Sequence, residues 1–233
     1  MTPAILFEDA DVLVINKPAG LLVHGVSKKT NAQEDTVAKW ARPKITDKIL
    51  LTEKERAGIV HRLDADTSGV MVIAKTTTAA TKLEEQFRSR EVKKQYMALV
   101  HGRIDRSEGT ISFPLSRATS KNRRGKFVAK PETQGGRKAT TNFVVERSSP
   151  RYTLLAVSPE TGRTHQIRAH LFAYGHPVVG DPEYKNKRWK DNAPRLMLHA
   201  RTLGFRHPTS GQWLEFESAP PKEFIDFLHT KHL

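Results

Sequence analysis

Between residues 61 and 69 the chain reads His61-Arg62-Leu63-Asp64-Ala65-Asp66-Thr67-Ser68-Gly69. Two carboxylates, an imidazole, a guanidinium and two hydroxyls crowd a short stretch between Ile59-Val60 and the apolar run that starts at Val70. Loops held between buried strands are where functional side chains tend to be presented. Asp64 beside Arg62 could serve as a nucleophile or general base. His61, Asp64 and Asp66 could instead ligate a metal ion. Thr67 and Ser68 could simply satisfy backbone groups in a tight turn. Spacing alone leaves all three readings open.

A second cluster runs Gly162-Arg163-Thr164-His165-Gln166-Ile167-Arg168-Ala169-His170. Thr164 reads as a helix N-cap, and Ile167, Leu171 and Tyr174 fall at the spacing of one buried helical stripe. Arg168 borders that stripe. A guanidinium is costly to bury unless a carboxylate pairs with it, so an exposed helical position is its default placement.

The elements around these clusters follow from pattern and punctuation. Ile5-Leu6-Phe7 and Val12-Leu13-Val14-Ile15, joined by an acidic turn, predict a hairpin, and Asn16-Lys17-Pro18-Ala19-Gly20 a loop that ends it. Val37, Trp40 and Ala41 give one weak helical signal within the mostly polar residues 27–57. Val70–Ala74 is a continuous apolar run, hence a buried strand. A helix capped by Thr77 or Thr78 follows, with Ala80, Leu83, Glu84 and Phe87 at helical spacing. Strands are predicted over Gln95–His101, Ala139–Glu146, Tyr152–Val157, Leu196–Phe205 and Trp213–Glu217. Helices are predicted over Thr164–Tyr174, ended by Gly175, and in the tail around Phe224, Phe227 and Leu228. Strands dominate without strict strand–helix alternation, which predicts an α+β fold with a mixed, largely antiparallel sheet and flanking helices. Neither an internal repeat nor a long linker divides the chain, so residues 1–233 are expected to form a single domain.

Charge narrows the partner. The 233 residues carry 39 Lys plus Arg against 25 Asp plus Glu, a formal net charge of +14. Such a surplus is the footprint of phosphate binding, because each neutralised phosphate releases condensed counterions. Arg117, Lys121, Arg123, Arg124, Lys126, Lys130, Arg137 and Lys138 face one acid, Glu132, in a Gly- and Pro-containing stretch. Lys185-Asn186-Lys187-Arg188-Trp189-Lys190 interleaves base with an aromatic ring. Basic loops beside an indole suit RNA, whose phosphates take the charge and whose unstacked bases take the ring. With no cysteine, a disulfide scaffold, a thiolate metal site, a Cys nucleophile and zinc deaminase chemistry are excluded. No apolar stretch approaches the ~18 residues of a membrane span. The acidic amino terminus does not resemble a targeting peptide, so the expected location is the cytoplasm.

His61-Arg62-Leu63-Asp64 followed by Thr67-Ser68-Gly69 resembles the signature of the RluA-type pseudouridine synthases. The second cluster, continued by Gly175-His176-Pro177 and Gly180-Asp181-Pro182-Glu183-Tyr184, is similar to that family's downstream motif. Asn16-Lys17-Pro18-Ala19-Gly20 with His24, and Leu198-His199-Ala200, match in the same order. The resemblance implies the pseudouridine-synthase fold and conversion of uridine in RNA to pseudouridine. The base is detached from its ribose, turned and rejoined through carbon 5, with no cofactor and no metal.

The resemblance also assigns roles. It implies Asp64 as the catalytic aspartate, whether attacking the sugar, attacking the base or removing a ribose proton. Arg168 is implied as the fixed cation that keeps a desolvated carboxylate ionised. Tyr96 is implied to stack on the uracil, its hydroxyl near the proton that leaves carbon 5, and Leu198 to supply the other apolar wall. The target must be flipped out of its stack. Arg62 is placed to fill the gap, and His61 to orient the loop. Many relatives carry an accessory RNA-binding domain ahead of the catalytic one; none is expected here, which leaves the Arg117–Lys138 loop, with Arg123 and Arg124, and the Lys185–Lys190 loop to select substrate. Large-subunit ribosomal RNA is the favoured target, with tRNA, or both RNAs, next. A non-catalytic RNA-binding or ribosome-assembly factor and a metal-dependent phosphohydrolase are the competing accounts. Nothing demands more than a monomer.

Overall fold

Asp9 closes the first hairpin: its Oδ1 accepts the backbone N–H groups of Asp11 and Val12, each at 2.8 Å. The computed structural model describes residues 1–25, 35–52, 57–118, 126–129, 135–185 and 187–233. Arg123 and Arg124 lie outside the described residues. In chain order the elements begin β1 (Ala4–Glu8), β2 (Val12–Lys17), α1 (Val37–Ala41), α2 (Lys48–Thr52), β3 (Ser68–Ala74), α3 (Thr77–Ser89) and β4 (Lys93–His101). They continue β5 (Glu108–Ile111), β6 (Leu115–Arg117), β7 (Phe127–Ala129), β8 (Thr141–Ser148), β9 (Tyr152–Pro159) and α4 (Gln166–Ala173). The last are β10 (Leu198–Arg206), β11 (Trp213–Glu217) and α5 (Lys222–Thr230). Two compact units result, Met1–Lys94 with Ala200–Ala219 and Gln95–His199 with Pro220–Leu233.

In the first unit β1 pairs with β2 and β2 with β3, both antiparallel, and β10 lies between β3 and its antiparallel partner β11. Val12, Val14, Val70 and Val72 pack against Ala79 and Leu83 of α3, while Leu13 and Ile15, on the opposite face of β2, are also fully buried. Burial on both faces explains why these strands read as continuous apolar runs. Helix α3 is capped one residue earlier than its sequence predicts. Thr76 Oγ1 accepts Ala79 N–H, because Thr77 is already occupied, its backbone N–H and its hydroxyl both donating to Asp47 Oδ2.

In the second unit β4 pairs with β9, β9 with β8 and β8 with β5, all antiparallel. Ala98, Val100, Leu155 and Val157 pack against Ile167 and Leu171 of α4. Met97, Leu99 and Leu154 pack against Phe224, Phe227 and Leu228 of α5. The α+β class with a largely antiparallel sheet and flanking helices is the one the sequence predicts. Helix α4 departs from expectation. It starts at Gln166, not Thr164, and its N-cap is His165 at φ 54° without a side-chain cap. Gln166 organises the turn instead: its Oε1 accepts from Thr161 Oγ1 and Arg163 N–H, and its Nε2 donates to Thr140 O and Thr141 Oγ1.

Candidate active site

In the first unit, the loop that carries Asp64 is pinned at both ends. At one end His61 Nε2 accepts the backbone N–H of Val72 at 3.0 Å, and the ring stacks on Phe87 at 4.4 Å between centroids. An Nε2 that accepts must be unprotonated, so the imidazole is neutral with its proton on Nδ1. Burial, with the Lys94 charge, depresses its pKa to about 3. His61 is therefore a positioning group.

Farther along the loop, the carbonyl of Ala65 accepts from Gly20 N–H at 2.9 Å and from Lys17 Nζ at 2.8 Å. Lys17 is fully buried, and its ammonium also donates to Pro18 O and Leu21 O. The Asn16–Gly20 stretch thus serves as the floor of the Asp64 loop. Thr67 N–H donates to the carbonyl of Asp64, which tightens the turn. Asp64 and Asp66 are half-buried, whereas Arg62 is exposed, with its Nη1 3.3 Å from His24 Nε2. Gly69, at φ +123°, is required: a Cβ there would collide with the backbone of Ala200. Among the described residues no group of three His, Asp or Glu side chains could hold a metal ion, so His61, Asp64 and Asp66 are not assembled as ligands.

The second unit holds Tyr96, Leu198 and Arg168. Tyr96, on β4 opposite Val157, is half-buried and packs against the cluster that contains Ile167 and Leu198. Leu198 is buried at the start of β10. Arg168 is not the exposed helical arginine that its neighbours alone would suggest. It is buried, with Nε 2.7 Å from Asp181 Oδ2 and Nη2 2.9 Å from Asp181 Oδ1. Glu183 Oε1 adds a contact to Nη2 at 3.3 Å, and the Tyr184 ring lies 5.1 Å from the guanidinium carbon.

Burial raises the Asp181 carboxyl, but the Arg168 guanidinium and two backbone N–H donors, from Glu183 and Tyr184, outweigh it and hold the pKa below the usual carboxylate value. Burial pushes the Tyr184 phenol up to about 12, so its hydroxyl stays protonated. That hydroxyl accepts Phe127 N–H, and Lys126 Nζ donates to Glu183 O. The antiparallel β6–β7 pair, at the root of the basic segment, is anchored to the same turn that binds Arg168.

The sequence pointed to the residues of the Asp64 loop and to the need of Arg168 for a carboxylate, but not to the carboxylate that meets it. The signal was present in Gly180-Asp181-Pro182-Glu183-Tyr184, where an acid follows a glycine at φ +72° and precedes a proline. Lys17 was visible only as part of a loop. Its burial follows from the carbonyls folded around it. Among the described residues no helix is long and apolar enough to cross a membrane.

Known proteins are similar to this chain over most of its length. Residues 11–173 match the family model described as RNA pseudouridylate synthase. The chain is 38% identical over 226 residues to an uncharacterized RNA pseudouridine synthase, YlyB, of Bacillus subtilis, covering 97% of this chain and 72% of that protein. It is 38% identical over 222 residues to the dual-specificity RNA pseudouridine synthase RluA of Haemophilus ducreyi, covering 92% of each. It is 38% identical over 236 residues to the ribosomal large subunit pseudouridine synthase D of Pseudomonas aeruginosa, covering 96% of this chain and 70% of that one. Among solved structures, human RNA pseudouridylate synthase domain containing 1 superposes with a TM-score of 0.74 at 28% identity, over 94% of this chain and 84% of that one.

Proposed function

Because the chain belongs to the RluA-type family of RNA pseudouridine synthases, isomerases that act on uridine in RNA, we propose that it modifies large-subunit ribosomal RNA with Asp64 as its catalytic aspartate. The observation that carries the assignment is the doubly pinned loop. His61 ties it to β3 and Ala65 ties it to Lys17 and Gly20, so the half-buried Asp64 carboxylate is offered from a rigid support. Preorganisation of this kind is what a reacting group requires. Tyr96 is the ring against the uracil, Leu198 the second apolar wall, and Arg62 the side chain that occupies the place of the flipped base. Arg168, oriented by its ion pairs with Asp181 and Glu183, is assigned to the active centre as a positioning group and not as a net positive charge. The chain acts in the cytoplasm as a single catalytic domain and as a monomer, with Arg123 and Arg124 on substrate phosphates.

In the reaction the bond from ribose C1′ to N1 breaks and a bond from C1′ to C5 forms. The C5 hydrogen is expelled as a proton and N1 ends protonated, so the isomerisation balances without a co-reactant. Ribosomal RNA is favoured because several relatives, among them those of Pseudomonas aeruginosa and Nitrosomonas europaea, are named as large-subunit synthases. The relative named as dual-specificity, matched over 92% of both chains, favours a second class of RNA as substrate beside ribosomal RNA.

The test is tritium release from RNA labelled at uracil C5, offered as ribosomal RNA and tRNA separately in the presence of a chelator. Wild type should release tritium and Asp64→Asn should not, while binding RNA within a few fold of wild type. Turnover by Asp64→Asn would overturn the assignment of Asp64. Activity lost to the chelator would favour metal-dependent chemistry.

A further inference from the structure

The second unit contains a cavity of about 480 Å³, whose lining includes His101, Lys185, Trp189, Lys190 and Asp191. It shares no residue with the Asp64 loop. Its walls are held from behind. The Trp189 indole stacks on His101 with centroids 5.5 Å apart and planes 14° from parallel. His101 Nε2 lies 2.8 Å from Asp191 Oδ2, and its backbone carbonyl lies 2.8 Å from His176 Nδ1. The Asp191 carboxylate also accepts backbone N–H groups from Gly180 and Ala193. Gly102, at φ +81°, makes room for the ring: a Cβ there would stand 3.2 Å from Cζ2 and Cη2 of the indole.

The charge around this indole is one-sided. Lys185, Lys187, Arg188 and Lys190 are basic neighbours in sequence, and the Arg188 guanidinium carbon lies 5.0 Å from the Trp189 ring centroid. Two acids line the cavity, and both are engaged, Asp181 by Arg168 and Asp191 by His101. The volume lies within the range of small-ligand sites. A bare anion would be served by the lysines alone. A rigid indole beside them suits a ligand with a flat face and a phosphate, and an unpaired nucleotide offers both.

We propose that this cavity binds one unpaired nucleotide of the RNA substrate, with its base against the Trp189–Arg188 stack and its phosphate on Lys185 and Lys190. The inference deepens the RNA reading above and rests on it. It gives the second unit its own hold on single-stranded RNA.

The experiment is a fluorescence titration of the full chain with decauridylate, with inorganic phosphate as the control ligand. Wild type should show saturable, salt-sensitive quenching, and Trp189→Phe should lose it, since Trp40 and Trp213 are retained. Lys185→Glu combined with Lys190→Glu should weaken decauridylate binding at least tenfold. It should also flatten the salt slope by roughly 0.7, the value for the one single-strand phosphate that the two lysines share. Neither lysine is buried, so the pair reports on the site independently of how Trp189→Phe folds. Equal quenching in Trp189→Phe, unchanged affinity in the lysine pair, or phosphate binding as tight as decauridylate would each overturn the nucleotide site. Tritium release separates the two readings. Release without Trp189 quenching overturns the cavity alone, and quenching without release from any RNA overturns the isomerase assignment alone.

Discussion

Arg168 and Asp181 form a bidentate ion pair buried on both sides, with side chains 3% and 0% exposed and contacts of 2.7 and 2.9 Å. The carboxylate is saturated further by two backbone N–H groups of its own turn, so its geometry is set before any substrate arrives. A pair this dry is strong where it is complete and costly where it is broken.

Breaking it should therefore destabilise the protein sharply. Asp181→Asn or Arg168→Met should each cost about 3–5 kcal/mol, because either leaves a buried polar partner uncompensated. The double variant Arg168→Met with Asp181→Leu should cost less than the sum of its single variants. Urea unfolding of all three, with RNA turnover alongside, checks this. Recovery of stability without recovery of tritium release would assign Arg168 to chemistry as well as to folding.

Gly69 and Gly211 make a matched pair of probes. Gly69 has φ +123° and faces the Ala200 backbone, whereas Gly211 has φ +72° and open space, so that a Cβ added there would meet nothing within 4 Å. Gly211→Ala should cost about 1–2 kcal/mol, the left-handed backbone penalty alone. Gly69→Ala must also push β3 away from β10 and should cost several-fold more. Thermal unfolding of the two variants distinguishes them.

The neutral His61 links stability to pH. Its pKa is about 3 in the fold, against 6.5 for an exposed imidazole. Between those values the unfolded chain binds the extra proton, so acidification favours unfolding. The contribution of His61 is present in full above pH 6.5 and should decline by roughly 1.4 kcal/mol per pH unit below it. His101 and His170, both lowered by burial, act with the same sign. Unfolding free energies at about pH 7 and pH 5 for wild type and His61→Gln test this, with a shallower pH slope expected in the variant.

The basic segment should show itself through salt. Reversing Arg123 and Arg124 to Glu should weaken RNA binding and reduce its dependence on salt concentration, by about one unit of slope for each phosphate no longer neutralised. An unchanged slope would return these arginines to a solvated surface.

Much of the fold is legible in the sequence where burial is strong and local. Val70–Ala74 lies within the fully buried β3, and Phe224, Phe227 and Leu228 are the buried face of α5, because apolar runs and apolar periodicity record burial directly. Short elements escape. Strands β5, β6 and β7 are three or four residues long, and α2 is five, too few to display a period. The start of α4 escapes for a different reason, since the side chain that organises it, Gln166, bonds to Thr140 and Thr141, distant in sequence.

Residue type and order were enough to say which groups are available for chemistry: His61 to Gly69, Arg168 with its demand for a carboxylate, and a surplus of base suited to phosphate. They also carried the family resemblance. Which groups meet was settled by the folded chain alone. Folding gave Arg168 to Asp181, Lys17 to the carbonyl of Ala65, and Trp189 to His101. The physical reason is that a buried charge or ring takes whichever partner the chain's return brings within about 3–6 Å, and no local pattern encodes that encounter.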